Sequence, residues 1–209
     1  SAASDVYKRQ VYITLVGTVL SIFTTFTFAY GLSKKDIPLH RLFITVVLFG
    51  LLFNPGMIPE YMNIRTLGLL NSFWSLIFSG LISSWNVIIA RNFIQGIPGE
   101  LEEAAKIDGC SYPRIFWEII LKNSKPALMT LVIFTFMNTW NDFLRPLIFI
   151  NDQENWTLSM GLAKFQGTYV TQWNQMMAGA LITMLPILVV YIFAQKYFVQ
   201  GIVMSGIKD

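Results

Sequence analysis

The sequence predicts an all-α fold: a polytopic bundle of membrane-spanning helices with one helix–turn–helix loop on its cytoplasmic side. Three observations carry that prediction. Of the 209 residues, 54% are hydrophobic and 13% charged, about half the charge of an ordinary soluble domain. The apolar residues gather into five runs, most of them near the ~20 residues that a ~30 Å hydrocarbon core requires. One segment breaks the pattern: residues 96–126 carry nine of the 27 charged residues.

The first run, 11–32, has a face of small and hydroxylated residues (Thr14, Gly17, Thr18, Ser21, Thr24, Thr25), which suits close helix packing. A short basic loop, SKKDIPLHR, occupies 33–41; its lone His40 reads as solvated or facing lipid headgroups. The second run, 42–58, meets Asn54-Pro55-Gly56 towards its end, either a span break lining a path or an interfacial turn. A polar connection at 59–66 contains Glu60 and Arg65. The third run covers 67–90. The fourth, 127–150, is interrupted by a polar patch at 138–142. A long amphipathic loop, 151–176, precedes the fifth run, 177–198, which contains Pro186, and a short tail follows. Trp74, Trp85, Trp156 and Trp173 read as interfacial belt or outer-loop aromatics, or as sugar-stacking rings. Residues 1–10 lack an initiator Met and read as a doubtful N-terminal block of a fragment. The remainder, 11–209, is expected to be a single domain with 96–126 inserted in it.

Five spans place alternate loops on opposite sides. One side then holds ten basic residues: Lys34, Lys35, Arg41, Arg91, Lys106, Arg114, Lys122, Lys125, Lys196 and Lys208. The other holds Arg65, Arg145 and Lys164, with Lys8 and Arg9 of the doubtful block. The positive-inside rule makes the richer side cytoplasmic, so 96–126 and the C-terminus are expected there. With one Cys and one His, a disulfide framework is excluded and a zinc site has too few ligands. There is no GxxxxGK[ST] and no GxGxxG pattern, so neither phosphate-binding loop is present. No cofactor is expected. Cys110 reads as an unreactive small residue.

The charged segment reads as two short helices. Pro98 stands at the start of the first, Glu100, Glu102 and Glu103 occupy turns where the helix dipole favours acids, and Asp108-Gly109 breaks it. Ser111 is placed to cap the second, with Pro113 in its first turn. On that second helix Ile115, Phe116, Ile119 and Ile120 share one apolar face. Ala104 and Ala105 have almost no side chain, so another protein can approach their backbone closely. The plain alternative is a charged spacer between two spans.

Glu103-Ala104-Ala105, Asp108-Gly109, Ile120-Leu121 and Lys125-Pro126 resemble the EAA loop of ABC-importer permeases. Further blocks, KPAL, TWNDFLRPLIF, TLSMGLAKFQG and YFVQGIVMSGIK, resemble the carbohydrate-uptake branch, of which the maltose-type second permease is the familiar member. The likeness runs from about residue 11 to 209. It implies six spans in the full chain, the first preceding the start of this one. It also implies a second permease subunit as heterodimer partner, a cytoplasmic ABC ATPase dimer and an extracytoplasmic solute-binding protein. A carbohydrate substrate and a bacterial inner-membrane location follow, with no nucleic acid among the partners. The docking residues carried over are Glu102, Glu103, Ala104, Ala105, Asp108 and Gly109. Two departures stand out. Lys122 replaces the family's Pro after Leu121, so the kink that a proline would give there is absent, and Cys110 replaces a common Ala.

Asn138, Trp140, Asn141 and Asp142 have two readings. They line the translocation path, hydrogen-bonding sugar hydroxyls with Trp140 stacked on a sugar face. Alternatively, Asp142 pairs with Arg145 three residues on and fixes the outer end of its span. Rival functions are an integral membrane enzyme using polar groups around Asp142, and a passive channel or assembly subunit. The enzyme wants a second carboxylate, a His or a metal cluster beside Asp142 within the spans, where the sequence offers none. The passive reading leaves the charged hairpin unexplained.

Overall fold

In the computed structural model, which describes residues 2–163 and 173–205, every regular element among the described residues is helical. That is what a lipid solvent demands, since helices satisfy their own backbone polar groups. The elements are α1 (Ala2–Ser33), α2 (His40–Leu52), α3 (Met57–Thr66), α4 (Phe73–Ser79), α5 (Ser84–Gln95) and α6 (Gly99–Ile107). They continue with α7 (Tyr112–Ile115), a π-helical turn at Phe116–Ile120, α8 (Leu121–Asn123), α9 (Lys125–Trp140), α10 (Leu144–Phe149), α11 (Leu158–Ala163) and α12 (Trp173–Ser205). Lys164, Lys208 and part of the expected outer loop lie outside the described residues.

The chain forms two compact units. The first takes the N-terminal part of α1 through Ser21, then Pro55–Leu81 and Ile133–Gln195. Its core gathers Ile13, Ile64, Leu76, Ile77, Phe149 and Ile150, with Met160 of α11. Gln10, 1% exposed, ties it together. Its Nε2 donates to the carbonyls of Thr139 (3.4 Å) and Trp140 (3.1 Å), and its Oε1 accepts from the Leu158 N–H (3.2 Å). The last carbonyls of α9 and the first amide of α11 are helix-end groups that need outside partners. One amide side chain supplies both. The expected boundary after residue 10 thus falls inside α1, and Gln10 belongs to the core.

The second unit takes Ile22–Asn54, Ile82–Val132 and the chain from Lys196 onward. Ile22, Phe26 and Ala29 of α1 meet Ala90 and Ile94 of α5, and with them Ala105, Ile115, Phe116, Ile120, Ala127 and Leu131. The small-residue face of the first run is buried as its spacing predicts: Thr14, Thr18, Ser21 and Thr25 are each at most 5% exposed.

The other runs depart from straight spans. The second is helical only from His40 to Leu52, 13 residues or about 20 Å; Phe53 is extended and the chain leaves the helix through Asn54-Pro55-Gly56, with Gly56 at φ 83°. Residues 67–90 do not make one helix. α4 ends at Gly80, and Ser83 restarts the chain as the N-cap of α5, its side chain accepting from the Asn86 N–H. The fourth run ends as a helix at Trp140, where the polar patch begins, and resumes at Leu144. Among the described residues two helices can cross a membrane by length and composition, Ser4–Ser33 and Trp173–Phe193, or up to four if each of two bent pairs counts as one span.

Replacing Gln10 by Leu strands the α9 carbonyls and the Leu158 amide, at about 1–3 kcal/mol for each buried unsatisfied group. The variant is expected to unfold several degrees below the wild type when the purified protein is heated in detergent micelles. Unchanged unfolding would mean the amide does not bridge these helix ends.

Candidate functional site

The charged hairpin is built by local rules. Pro98 is the N-cap of α6, and Glu100 and Glu102 lie in its first turn. The helix ends at Gly109, φ 76°, where the Cys110 N–H reaches back to the Ala105 carbonyl (2.9 Å) and the Gly109 N–H to that of Lys106 (3.0 Å). This is a Schellman end, which requires the left-handed conformation that Gly adopts without strain. Ser111 occupies the N-cap of α7 as predicted, but its side chain makes no cap hydrogen bond. Ile115, Phe116 and Ile120 are buried and Ile119 packs beside them, as their spacing requires.

The helical turn divides the predicted docking residues into two sets. Glu102 and Ala105, three apart, face inward and are each 7% exposed; Glu103, Ala104, Asp108 and Gly109 face outward. Ala105 therefore does not offer its surface to another protein, because it is part of the core. Outward with Ala104 lie Leu101, Tyr112 and Ile107, the last 86% exposed. These three were not singled out from the sequence, although Leu101, Ala104 and Ile107 repeat at the three-residue spacing of one helix face.

Glu102 is the electrostatic centre of the hairpin. Its carboxylate forms ion pairs with Lys34, from the loop after α1, and with Lys106, one turn along α6 (3.2 Å). The Tyr30 hydroxyl donates to it as well (3.4 Å). Burial by itself raises the pKa of Glu102, but the hydrogen bonds and charges of Lys34 and Lys106 outweigh that and leave it below the usual carboxylate value. Lys106 is raised, chiefly by its hydrogen bond to Glu102. Its ammonium also sits 5.2 Å from the Tyr112 ring, which links the two helices across the Gly109 turn. Nearby, Arg91 Nε donates to the Leu32 carbonyl (3.0 Å), closing the C-terminal end of α1.

The second helix meets α9 at an angle of 83°. The bend that the absence of proline at 122 was expected to remove is present. It lies at Ser124, and Pro126 favours it, since it has no N–H to bond back to the Lys122 carbonyl and continue the ladder.

The polar patch divides too. Trp140 is 3% exposed; its Nε1 donates to the Thr183 carbonyl (3.0 Å) and its ring stacks on Phe136 at 5.7 Å. Three residues before Pro186, that carbonyl belongs to a stretch of α12 where the proline loosens the ladder. The indole is thus a structural pin with one edge on a cavity of about 330 Å³, shared with Asn141, Ser159 and Thr183. Asn138 is exposed, and Asn141 Nδ2 caps the Met137 carbonyl (3.0 Å). Asp142 takes the pairing role: it accepts from the Arg145 backbone N–H (3.3 Å) and guanidinium (3.4 Å). Arg145 Nε also reaches Glu60 of α3 (3.1 Å), a partner 85 positions away in the chain. Among the described residues no group of three or more His, Cys, Asp or Glu could hold a metal.

Comparison with known proteins decides the family. The model of the binding-protein-dependent transport system inner membrane component matches residues 8–204. The chain belongs to that family. It is a membrane permease, a transport subunit rather than an enzyme, and the family implies a second permease, an ATPase and a solute-binding protein. The permease is 40% identical to Protein LplC of Bacillus subtilis strain 168, over 95% of this chain and 72% of LplC. It is 35% identical to the polygalacturonan/rhamnogalacturonan transport system permease protein YtcP of the same organism, over 97% and 77%. Among solved structures it is similar to a bacterial ABC transporter involved in the import of the acidic polysaccharide alginate. That match has a TM-score of 0.86 and 29% identity and covers 95% of this chain and 76% of the other.

The sign of the Glu102 shift fixes a pH dependence. A carboxylate with a lowered folded-state pKa stabilises the clasp fully above its ordinary value, about 4, and the contribution is lost as pH falls through the lowered value. Lys106, raised, contributes below its ordinary range and ceases to as pH rises through the raised value. Amide exchange in α6, corrected for intrinsic rates, is therefore expected to stay slow through neutral pH and accelerate in acid. In Glu102→Gln it should be faster at neutral pH and lack the acid step. Identical profiles would remove the clasp.

Proposed function

We propose that the permease forms half of the translocation path of an ATP-driven carbohydrate importer and docks its ATPase through the outward face of α6. The observation that carries this reading is the pairing of a fixed inner face with a free outer one. Glu102 and Ala105 are held by the chain itself, while Leu101, Glu103, Ala104, Ile107 and Asp108 form an exposed face on a short helix with a rigid Schellman end. Exposed apolar side chains rimmed by charge suit a protein partner. Glu102 then positions the docking helix and does not itself contact the ATPase. Motion of the ATPase would pass through α6 to the buried face of the second helix, and from there through the bend at Ser124 to α9. Rigid-body movement of packed helices suits such transmission.

Carbohydrate as the substrate class is supported by the relatives, which include a polygalacturonan/rhamnogalacturonan permease and a subunit architecture that imports alginate. A heterodimer with a second permease is the expected pore. The orientation draws support from the charges: among the described residues, the nine basic residues assigned to the cytoplasmic side (Lys34, Lys35, Arg41, Arg91, Lys106, Arg114, Lys122, Lys125 and Lys196) fall in the second unit, and Lys8, Arg9, Arg65 and Arg145 fall in the first. We assign five spans to α1, α2, α4 with α5, α9 and α12, and place the hairpin and C-terminus in the cytoplasm. In the first unit Asn141 and one edge of Trp140 face the cavity and Asn138 is exposed, whereas Asp142, through Arg145 and Glu60, holds the ends of α3 and α10.

Glu103→Lys reverses a charge on the docking face. Gly109→Val forces a β-branched residue into a left-handed conformation, at roughly 1–2 kcal/mol. Both are expected to leave the permease in the membrane at normal levels and to abolish uptake and substrate-stimulated ATP hydrolysis. Normal stimulation in both variants sinks the docking reading. Asp142→Asn is expected to lower uptake less than either; complete loss of substrate binding in that variant would return Asp142 to the path.

A further inference from the structure

Within the second unit, α1 and α2 enclose a cleft of about 390 Å³ that neither docking nor the translocation path uses. Its walls are apolar: Phe23, Phe28, Leu32, Ile37 and Phe43, with Phe28 and Phe43 edge to face at 6.4 Å. Gly31 opens its floor, since a Cβ added there would meet nothing within 4 Å. Beside it the flank of α2 exposes Leu42, Val46 and Phe49. From Phe23 to Leu32 the α1 wall rises about 14 Å, close to half of the ~30 Å hydrocarbon core and so to the depth of one leaflet.

The mouth of the cleft has the opposite character. His40 closes it, and the Nδ1 of its imidazole is buried with no hydrogen-bond partner. Arg41 follows it in the chain and is exposed, with no ion pair among the described residues; Lys35 lines a different cleft, with Lys34, Arg91 and Glu102. Lys34 is already committed to Glu102, and Asp36 is the one acid of the loop. An apolar slot one leaflet deep, with an imidazole at its mouth and an exposed cation next to it in the chain, matches an amphiphile with an anionic head. Basic pockets at the ends of membrane helices bind such headgroups, each nearby cation strengthening the attraction.

We propose that this cleft is a binding site for an anionic phospholipid, one acyl chain lying along Gly31 between α1 and α2 and the phosphate held by His40 and Arg41. The site stands apart from the docking face, so the two readings fail separately. It would tie the loop that carries Lys34, and hence the Glu102 clasp, to the composition of the surrounding leaflet.

The test uses the whole transporter, assembled with its partner subunits in nanodiscs of equal parts phosphatidylglycerol and phosphatidylcholine, then released into native mass spectrometry. Phosphatidylglycerol is expected to be retained in preference to phosphatidylcholine. Arg41→Ala should reduce that preference roughly fivefold, and Lys35→Ala should leave it unchanged. Gly31→Leu, which fills the slot while keeping Arg41, should lose the retained lipid altogether. Each variant is first checked for assembly by size exclusion. Equal retention of the two lipids by the wild type, or undiminished phosphatidylglycerol in Gly31→Leu, overturns the proposal. So does a cross-link from Phe43→Cys to a neighbouring subunit with no lipid retained, which would make the cleft a subunit contact.

Discussion

The buried carboxylate of Glu102 sets the orientation of the hairpin. A charge with little exposure is tolerated only where opposite charges and hydrogen bonds compensate its lost hydration, and here Lys34, Lys106 and Tyr30 do so. Because Lys34 belongs to the loop after α1 and Lys106 to α6 itself, the same carboxylate fixes both the rotation of α6 about its axis and its tie to α1. Once that rotation is fixed, Ala105 must face the core and Leu101, Ala104 and Ile107 must face out. The proposed docking face therefore follows from an interaction that is not part of it.

This explains which parts of the hairpin were legible in the sequence. Local backbone rules were: the Gly109 break, the proline at each helix start and the apolar spacing of Ile115, Phe116, Ile119 and Ile120 act within a few residues. The roles of three glutamates at 100, 102 and 103 were not, because composition cannot tell which one points inward. That is decided by a lysine 68 positions away. The same limit applies to the outer patch. The Asp142–Arg145 pair has helical spacing and could be read off directly, whereas Glu60 joins it from 85 positions away. Trp140 looked like a ligand-facing ring, but its indole N–H had a carbonyl waiting on α12. Hydropathy also failed to mark the break between α4 and α5, since Gly80, Leu81 and Ile82 are as apolar as a continuous span would be. Only the Ser83 cap signals the restart.

Lys122 shows how a substitution within a motif can be compensated by the residues beside it. A proline at 122 would have ended the second helix directly. In this chain the helix continues through Leu121–Asn123, and Pro126 favours the turn two to four residues later. The Ser124 carbonyl accepts from the Leu128 N–H in the first turn of α9 (2.8 Å), and Ser124 is fully buried. Ser124 faces the core, with Ala127 and Leu131 beyond it packed together with Ile115 and Ile120, while Asn123 and Lys125 on either side of it are exposed. A hinge with no packed face would absorb displacement of α6 by flexing. In the proposed coupling, a bend with its inner face packed would pass it on to α9, because close-packed interiors move between discrete arrangements rather than deform continuously. The physical demand on the motif is therefore a rigid corner after the second helix, and a proline on either side of Ser124 can meet it.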